Sequence, residues 1–489
     1  MGKSIVQRFL AIFGSSVIGI VATFLATPII VRILGSSRYG DYAFMLSILS
    51  ILMLFVNAGI YDGIRKYLKE SDRPEQWADH VFGFYTRVGV VLATLVVVFL
   101  VALVEGGFVE RYLGARFDLY FLLIAGTVVT QQAFSIGRST LMGFDREDVS
   151  EKLVVANKLS TVVVGLGLIT FGYGIPGLIA AKLLANLLTA AAGAVVIGRF
   201  VGYSHLFSVT PDDFPRRRLM TFNVMSIGLF ALFLSIKHAD ILLIQFYRGS
   251  DATGYYKAAL NLAEFIWFVP RIVQMSLLHS TSELWSEERT DAITDISARV
   301  TRYSLLFTML LVIGLSVLAE PTITVYYGPE FRPAILPLII LLPGAMGFAV
   351  ARPILAIGQG KGAFRYLIYA TGAAALVNLV LNAVLIPRYG IVGAAVATSI
   401  GYFSMLIFHV GSARAIGFDP IADLRLPNVV TTMVVAAVAI VLLSRVIDSV
   451  VLSFLVVPPT GFVIYWAVAL AADAVSVDEL RELRDEVPL

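Results

Sequence analysis

Apolar stretches of about twenty residues recur along the whole chain, and shorter segments rich in charged residues, glycine and proline separate them. A helix needs about twenty apolar residues to cross a ~30 Å hydrocarbon core, and it satisfies its own backbone hydrogen bonds there. The alternating segments of about ten residues that a membrane β-barrel requires are not seen. The pattern therefore predicts an all-α polytopic membrane protein with about fourteen transmembrane helices, at 9–31, 42–61, 82–104, 119–141, 153–171, 177–198, 219–246, 256–280, 303–319, 333–357, 366–387, 391–411, 429–446 and 449–472.

Composition agrees with a protein whose surface faces lipid. Hydrophobic residues make up 58% of the chain and charged residues 15%, whereas a soluble domain carries about a quarter charged residues. The absence of cysteine excludes disulfides, thiolate metal sites and cysteine catalysis. The net charge of +3 is too small to indicate a nucleic-acid partner. The first apolar run, 9–31, is longer than the core of a signal peptide, so we expect it to be retained as a span.

Lysine and arginine in the connections predict the orientation. With the N-terminus inside, the cytoplasmic segments hold 21 of these residues and the outer segments hold 8. Because cytoplasmic loops are enriched in basic residues, this bias places both termini in the cytoplasm of a protein of the cell membrane. Two segments, 281–300 and 475–486, are predicted to form short amphipathic helices at the cytoplasmic interface, either capping the bundle or binding a partner.

The chain resembles itself at a nearly constant offset of 214 to 216 residues. Three matches share this offset and occupy the same places between spans: 35–42 (GSSRYGDY) with 249–256 (GSDATGYY), Gly143 with Gly358, and 173–177 (YGIPG) with 389–393 (YGIVG). Such a repeat predicts two six-helix lobes, 1–212 and 213–415, followed by two additional helices and a cytoplasmic tail in 416–489. An even number of spans gives both lobes the same polarity, so we expect an axis along the membrane normal with a cavity between the lobes.

Ionisable residues inside spans are rare and costly, at about 2.5–3.5 kcal/mol each near a helix centre, and they commonly mark functional sites. Eight basic side chains face two carboxylates here. The basic residues are Arg87, Arg138, Lys158, Lys182, Lys237, Lys257, Arg271 and Arg352, and the carboxylates are Asp240 and Glu264. A cavity lined in this way attracts phosphate or another anion and repels cations. The eight basic residues are therefore the predicted substrate-binding set.

The positions of these charged residues along their spans leave alternative roles open. Six of the basic residues lie near enough to a span end for their side chains to reach the headgroups instead of a cavity: Arg87, Arg138, Lys158, Lys182, Lys257 and Arg352. Glu264 and Arg271 are central, and a spacing of seven puts them on one helical stripe with Lys257. Either carboxylate, Asp240 or Glu264, is a candidate for ion coupling or for a structural ion pair, Glu264 with Arg271 or Asp240 with Lys237.

Two further residues in these spans, Pro270 and His238, have predicted structural roles. Pro270 predicts a weakened or kinked helix beside Arg271. His238 reads as a hydrogen-bonded interior residue.

Motifs for other chemistry are missing. The sequence has no phosphate-binding loop of the form G-x-x-x-x-G-K-[ST], no H-E-x-x-H and only 5 histidines. We therefore expect no cofactor, no metal centre and no enzymatic activity.

Several short segments of the chain resemble those of a known family. They are 32–35 (RILG) and 39–42 (YGDY) after the first span, 57–60 (NAGI) before the basic 65–67 (RKY), 254–256 (GYY) after the span that contains Asp240, and 327–331 (YGPEF) before the tenth span. In this order they resemble O-antigen-type polysaccharide-unit flippases of the multidrug/oligosaccharidyl-lipid/polysaccharide (MOP) exporter superfamily. The resemblance covers nearly the whole chain, including the count of fourteen spans.

The resemblance implies a flippase that works by alternating access of two lobes on a lipid pyrophosphate-linked oligosaccharide. Its partners would be this anionic lipid and membrane lipids. The resemblance is compatible with a monomer and with contact between the protein and glycan assembly enzymes. A lipid II flippase and a cation-coupled drug exporter of the same superfamily are alternatives, and so, from another class, is a membrane-embedded glycan polymerase. The glycan, the lipid carrier and the energy source do not follow from the sequence.

Overall fold

The computed structural model describes residues 5–57, 59–70, 76–206, 210–212 and 214–479, and these are almost entirely helical. The helices, in chain order, are α1 (Ile5–Asn57), α2 (Ile60–Leu68), α3 (Trp77–Glu105), α4 (Phe108–Leu113), α5 (Arg116–Gly143), α6 (Glu147–Thr170), α7 (Gly174–Ile197), α8 (Arg216–Glu264), α9 (Phe268–Ser286), α10 (Thr290–Val317), α11 (Ala319–Tyr326), α12 (Ile335–Gly360), α13 (Phe364–Ile416), α14 (Leu426–Arg445) and α15 (Val450–Ala471). Three 3₁₀ turns, Tyr203–Leu206, Phe265–Trp267 and Pro329–Ala334, complete the elements of the described part.

Single glycines divide the three longest helices. Gly35 interrupts α1 with φ 71° and ψ 175°, Gly249 interrupts α8 with φ 80° and ψ −172°, and Gly390 interrupts α13 with φ 59° and ψ −134°. Backbone of this kind is accessible essentially to glycine alone. Gly35 and Gly249 belong to the matched sequence segments, and their backbone conformations match as well.

Counting each helix on either side of such a glycine separately gives the number of spans. In the described residues, 10 helices are long and apolar enough to cross a membrane, and two of these 10, Val17–Asn57 and Phe364–Ile416, contain a glycine break. The two breaks raise the count to about twelve. The part of α8 before Gly249, and the part after it continued by α9, add two more. The all-α polytopic fold with about fourteen transmembrane helices is confirmed.

Large apolar side chains are exposed along the outside of the helices. On α3, Val91, Leu95 and Val98 have exposed fractions of 57%, 61% and 60%. A continuous apolar face of this kind would be unstable in water and is expected against lipid tails.

The chain forms two compact units, 1–234 and 235–489. In the first, α5 packs between α3 and α7, and α6 packs on α7 and α1. In the second, α12 is the central helix and contacts α9, α10 and α13. A methyl group at Gly344 of α12 would lie 2.3 Å from Ser399 Cα of α13, so the glycine permits close backbone approach. The division into lobes at 212/213 and 415/416 remains a prediction.

One local prediction is wrong. The segment 281–300 is not a separate interfacial helix, because α9 continues to Ser286 and α10 already begins at Thr290. The chain reverses in between at Glu288, whose φ is 57°. The second predicted amphipathic segment, 475–486, lies outside the described residues beyond 479.

Candidate functional site

A 3₁₀ turn in the eighth span lies beside a group of charged and aromatic side chains in the C-terminal unit. Proline removes a backbone donor, and its ring collides with the carbonyl four residues earlier. For Pro270 that carbonyl belongs to Ile266, and the helix tightens into the 3₁₀ turn Phe265–Trp267 at this place. The predicted irregularity beside Pro270 is therefore present, one turn before the proline. It turns Trp267 inward, where the indole N–H donates to the Ala345 carbonyl at 2.9 Å.

Two basic residues from different helices meet at the Trp267 ring. Lys237 Nζ of α8 lies 5.0 Å from the ring centroid, and the Arg352 guanidinium of α12 lies 5.3 Å from it. Arg352 also stacks on Phe348 at 4.9 Å. Aromatic faces attract cations, so the rings hold two like charges close together inside a span.

One carboxylate accompanies these charges. Glu264 Oε2 lies 4.0 Å from Lys237 Nζ, and its Oε1 accepts a bond of 3.4 Å from the Tyr402 hydroxyl. Lys257 and Arg271 are near enough for their charges to act on Lys237 as well. Four of the predicted basic residues and one carboxylate thus belong to one group of interacting charges. Among the described residues, Glu264 is paired with Lys237 and not, as one alternative had it, with Arg271.

The Arg352 guanidinium is only partly satisfied. Its Nη1 donates to Gln274 Oε1 at 3.0 Å, while its buried Nε has no hydrogen-bond partner within the described residues. Guanidinium carries five donors in a planar fork suited to phosphate. A buried, unsatisfied donor costs free energy, which an anionic oxygen would recover.

Asp240 occupies a separate, fully buried position one turn along α8 from Lys237. Its Oδ2 accepts from the Tyr256 hydroxyl at 2.5 Å and from Thr398 Oγ1 at 3.2 Å. Asn378 Nδ2 in turn donates to Thr398 Oγ1 at 3.3 Å, and Asn382 follows on the same helix. The alternative pairing of Asp240 with Lys237 is not among the ion pairs of the described residues.

Hard cations prefer oxygen ligands of the kind gathered around Asp240. One carboxylate, the Thr398 hydroxyl and two asparagine amides lie together here, and Asn382 Oδ1 is buried without a partner in the part of the chain described. Among the described residues there is no group of three or more His, Cys, Asp or Glu side chains suited to a metal ion. The cluster therefore fits a monovalent cation or a proton better than a transition metal.

The other four predicted basic residues lie in the N-terminal unit, and they are dispersed. Arg138 forms an ion pair of 3.0 Å with the buried Glu151. Arg87 Nη1 donates to the Leu206 carbonyl at 3.4 Å. Lys158 packs against Gly19, where a methyl group would lie 2.4 Å from its Cδ. Lys182 is half-buried on α7. No common cluster of the four is seen in this described unit.

Sequence reasoning missed several residues of these sites. Trp267 and Tyr402 contact the charged residues of the C-terminal unit. In the sequence, Trp267 is marked only by its closeness to Pro270, and Tyr402 only as an aromatic residue within an apolar span. In the N-terminal unit, Asn157 Nδ2 donates to Asn186 Oδ1 at 2.9 Å and to Thr189 Oγ1 at 3.0 Å. This polar contact joins α6 to α7 beside Lys158. Asparagine and threonine carry no charge, so the ionisable residues within the spans did not indicate it.

Comparison with known proteins adds evidence on ancestry. A family model described as "Polysaccharide biosynthesis protein" matches residues 5–276. The "Probable low-salt glycan biosynthesis flippase Agl15" of Haloferax volcanii is 25% identical, over 84% of this chain and 82% of the relative. The "Probable flippase AglR" of the same organism is 23% identical, over 85% of this chain and 84% of the relative.

A solved structure shows the same fold. The lipid II flippase MurJ, in an inward closed conformation, superposes with a TM-score of 0.77 and covers 99% of this chain and 100% of its own, at 15% sequence identity. At this identity the similarity concerns the fold alone.

Proposed function

Because the chain belongs to the polysaccharide biosynthesis protein family, we propose that it is a flippase for a lipid pyrophosphate-linked oligosaccharide. The family confirms the resemblance to polysaccharide-unit flippases of the MOP superfamily, and the two Haloferax volcanii relatives described above are named probable flippases. The protein is a multi-pass membrane transporter. Its direction of transport would be from the cytoplasmic to the outer leaflet of the cell membrane, with both termini in the cytoplasm.

One observation carries the substrate class: Lys237 and Arg352 share the Trp267 ring inside a membrane span, beside a single carboxylate. A pyrophosphate would neutralise the two cations and bind the spare donor of Arg352. Lys257 and Arg271 add charge around the same place. We propose these four residues as the main anion contacts, with Arg87, Arg138, Lys158 and Lys182 as candidates from the other lobe.

Alternating access follows from the proposed two-lobed architecture. The basic residues would hold the phosphates, the sugars would occupy the polar lumen, and the lipid tail would stay in the bilayer. Only the anionic group then has to be desolvated by protein, which is the costly part of moving such a molecule across hydrocarbon. The protein would act without a cofactor, as a monomer or in contact with glycan assembly enzymes.

We further propose that Asp240 couples transport to a cation. The carboxylate is buried among hydroxyl and amide oxygens, so occupation by Na⁺ or a proton would remove an unfavourable buried charge. The test is initial transport rate at fixed membrane potential with and without a sodium or proton gradient. Asp240→Asn should abolish the gradient dependence, and a native rate independent of both gradients contradicts the coupling.

Transport by purified protein in liposomes tests the main proposal. A defined lipid-linked oligosaccharide, lipid II and a cationic drug are supplied on one side, and their appearance on the other is measured. We expect the oligosaccharide to move and the drug to remain. Movement of lipid II alone would favour the lipid II alternative, and chain elongation of the glycan without translocation would indicate a polymerase.

Substitutions tie this transport to the basic residues. Neutralising Arg271 together with Arg87, as the Met variants, should abolish glycan export while the protein still folds and inserts. Native export by this well-folded double variant would contradict the basic-cavity mechanism.

A further inference from the structure

An apolar groove of about 290 Å³ runs between α3, α5 and α7 in the N-terminal unit, apart from the basic cluster described above. Phe82 and Ala93 of α3, Ile136 of α5 and Ala194 of α7 line it. Two further lining residues, Val90 and Val129, have exposed fractions of 57% and 48%. The groove therefore opens onto the outer surface of these helices.

The length of the groove corresponds to one leaflet of a membrane. Its lining residues on α3 run from Phe82 to Thr94, which is about 18 Å of helix at ~1.5 Å per residue. Half of a ~30 Å hydrocarbon core is about 15 Å. A single hydrocarbon chain that starts at the headgroups would thus follow the groove to about the middle of the bilayer.

Two of the residues that line this apolar groove carry buried polar atoms without partners among the described residues. Gln132 is 2% exposed, and both its Nε2 and its Oε1, together with Thr86 Oγ1, lack hydrogen-bond partners in the described part of the chain. A methyl group at Gly89 would lie 2.8 Å from Gln132 Nε2, so this glycine makes room for the amide. Polar groups in apolar surroundings are normally satisfied, and here a ligand oxygen would accept from the Gln132 amide N–H and the Thr86 hydroxyl.

A positive charge lies beside the groove, within the part of α3 that lines it. Arg87 follows Thr86 directly, and its Nη1 donates to the carbonyl of Leu206, which itself lines the groove. A guanidinium, two hydrogen-bonding side chains and an apolar channel are thus neighbours here. These three kinds of group match the phosphate, the glycerol oxygens and one hydrocarbon chain of a membrane phospholipid.

We propose that this groove binds a glycerophospholipid, with one chain between α3, α5 and α7, a glycerol ester or ether oxygen on Thr86 and Gln132, and the phosphate near Arg87. A polyprenyl phosphate fits less well, because its chain carries no oxygen below the phosphate and would leave both polar side chains unsatisfied. The bound lipid holds three helices of the N-terminal unit together and is not the transported molecule. Arg87, one of the candidate substrate contacts, is therefore assigned to the bound lipid instead.

Native mass spectrometry of the full-length protein tests this site. Delipidated protein is titrated with phosphatidylglycerol and, in a separate arm, with a polyprenyl phosphate. The double variant Thr86→Val/Gln132→Leu keeps side-chain size and removes the polar atoms, so it should bind phosphatidylglycerol roughly tenfold more weakly. Native-like phosphatidylglycerol binding by the double variant overturns the proposal, and so does preferential binding of the polyprenyl phosphate by the wild-type protein.

A second pair of variants guards against misfolding. Ala133 lines the groove and is exposed, and Ala156 is an exposed alanine of α6 away from it. Ala133→Phe should fill the groove and lose both the bound lipid and the rise in melting temperature that phosphatidylglycerol gives the wild-type protein. Ala156→Phe should keep both. Equal lipid-dependent shifts in the two variants contradict a site in this groove.

Discussion

Arg352→Met is the most informative single substitution in the basic cluster. Methionine reaches about as far as arginine Nε, so it replaces the aliphatic part of the side chain and removes the guanidinium, which meets the rings of Trp267 and Phe348 at 5.3 Å and 4.9 Å. It removes the positive charge and the buried Nε donor that has no partner among the described residues. The substitution therefore separates anion binding from packing.

The expected loss of affinity follows from the hydrogen bond that the substitution removes. A hydrogen bond between a guanidinium and a phosphate contributes about 1.5–3 kcal/mol, and about 1.4 kcal/mol corresponds to a factor of ten. We expect affinity for a pyrophosphate lipid to fall by about 10- to 150-fold. Stability should change by no more than about 1 kcal/mol, because Gln274 loses one bond while a costly buried charge is removed.

Calorimetric titration of the protein in nanodiscs with a short-chain prenyl pyrophosphate oligosaccharide measures the affinity. Arg365→Met provides the matched control, since it makes the same charge change at an exposed position at the start of α13. The control should stay within about twofold of the native affinity. Equal affinity of Arg352→Met and the control would refute the assignment of Arg352 to the phosphates.

Two further predictions concern the fold. Gly249→Ala should lower the free energy of unfolding by about 1–3 kcal/mol, because φ is 80° there; Gly314→Ala, in the open face of a regular helix, should be neutral or stabilising in the same thermal melt. Burial by itself raises the pKa of Glu479, but the Ser476 backbone N–H and Arg302 outweigh burial and hold the pKa below its ordinary value of 4.5. The stabilisation from Glu479 is therefore complete above about pH 4.5 and lost as the pH falls through the lowered pKa. Glu479→Gln should remove this part of the pH dependence of the melting temperature. A pH profile of melting that is unchanged in the variant would contradict the prediction.

The fold was accessible from the sequence because its signals are local. Twenty apolar residues in succession specify a span, and a glycine between two spans specifies where the helix can break. Gly35 and Gly249 were found as parts of a repeated segment, and both have the same backbone conformation. The tightness of these connections was underestimated, since each consists of one residue.

The pairing of charges was less accessible. A spacing of seven put Glu264 and Arg271 on one stripe of a regular helix, but the 3₁₀ turn at Phe265–Trp267 lies between them and shifts the phase. Glu151 is not one of the two carboxylates set against Arg138 and the other basic residues, because it precedes the predicted start of its span at 153. The helix that carries Glu151 in fact begins at Glu147, so the carboxylate lies within reach. Such contacts depend on helix phase and length, which composition does not specify.

The one-residue helix breaks also bear on how the outer side of the protein can open. Gly35, Gly249 and Gly390 lie between spans on the side predicted to face outward, and each joins two helices without a loop. At these three connections of the described chain there is no loop that must first move aside for a bulky glycan to leave. Opening would have to come from the helices themselves as they tilt, and glycine, which rotates freely about φ and ψ, is suited to act as their pivot.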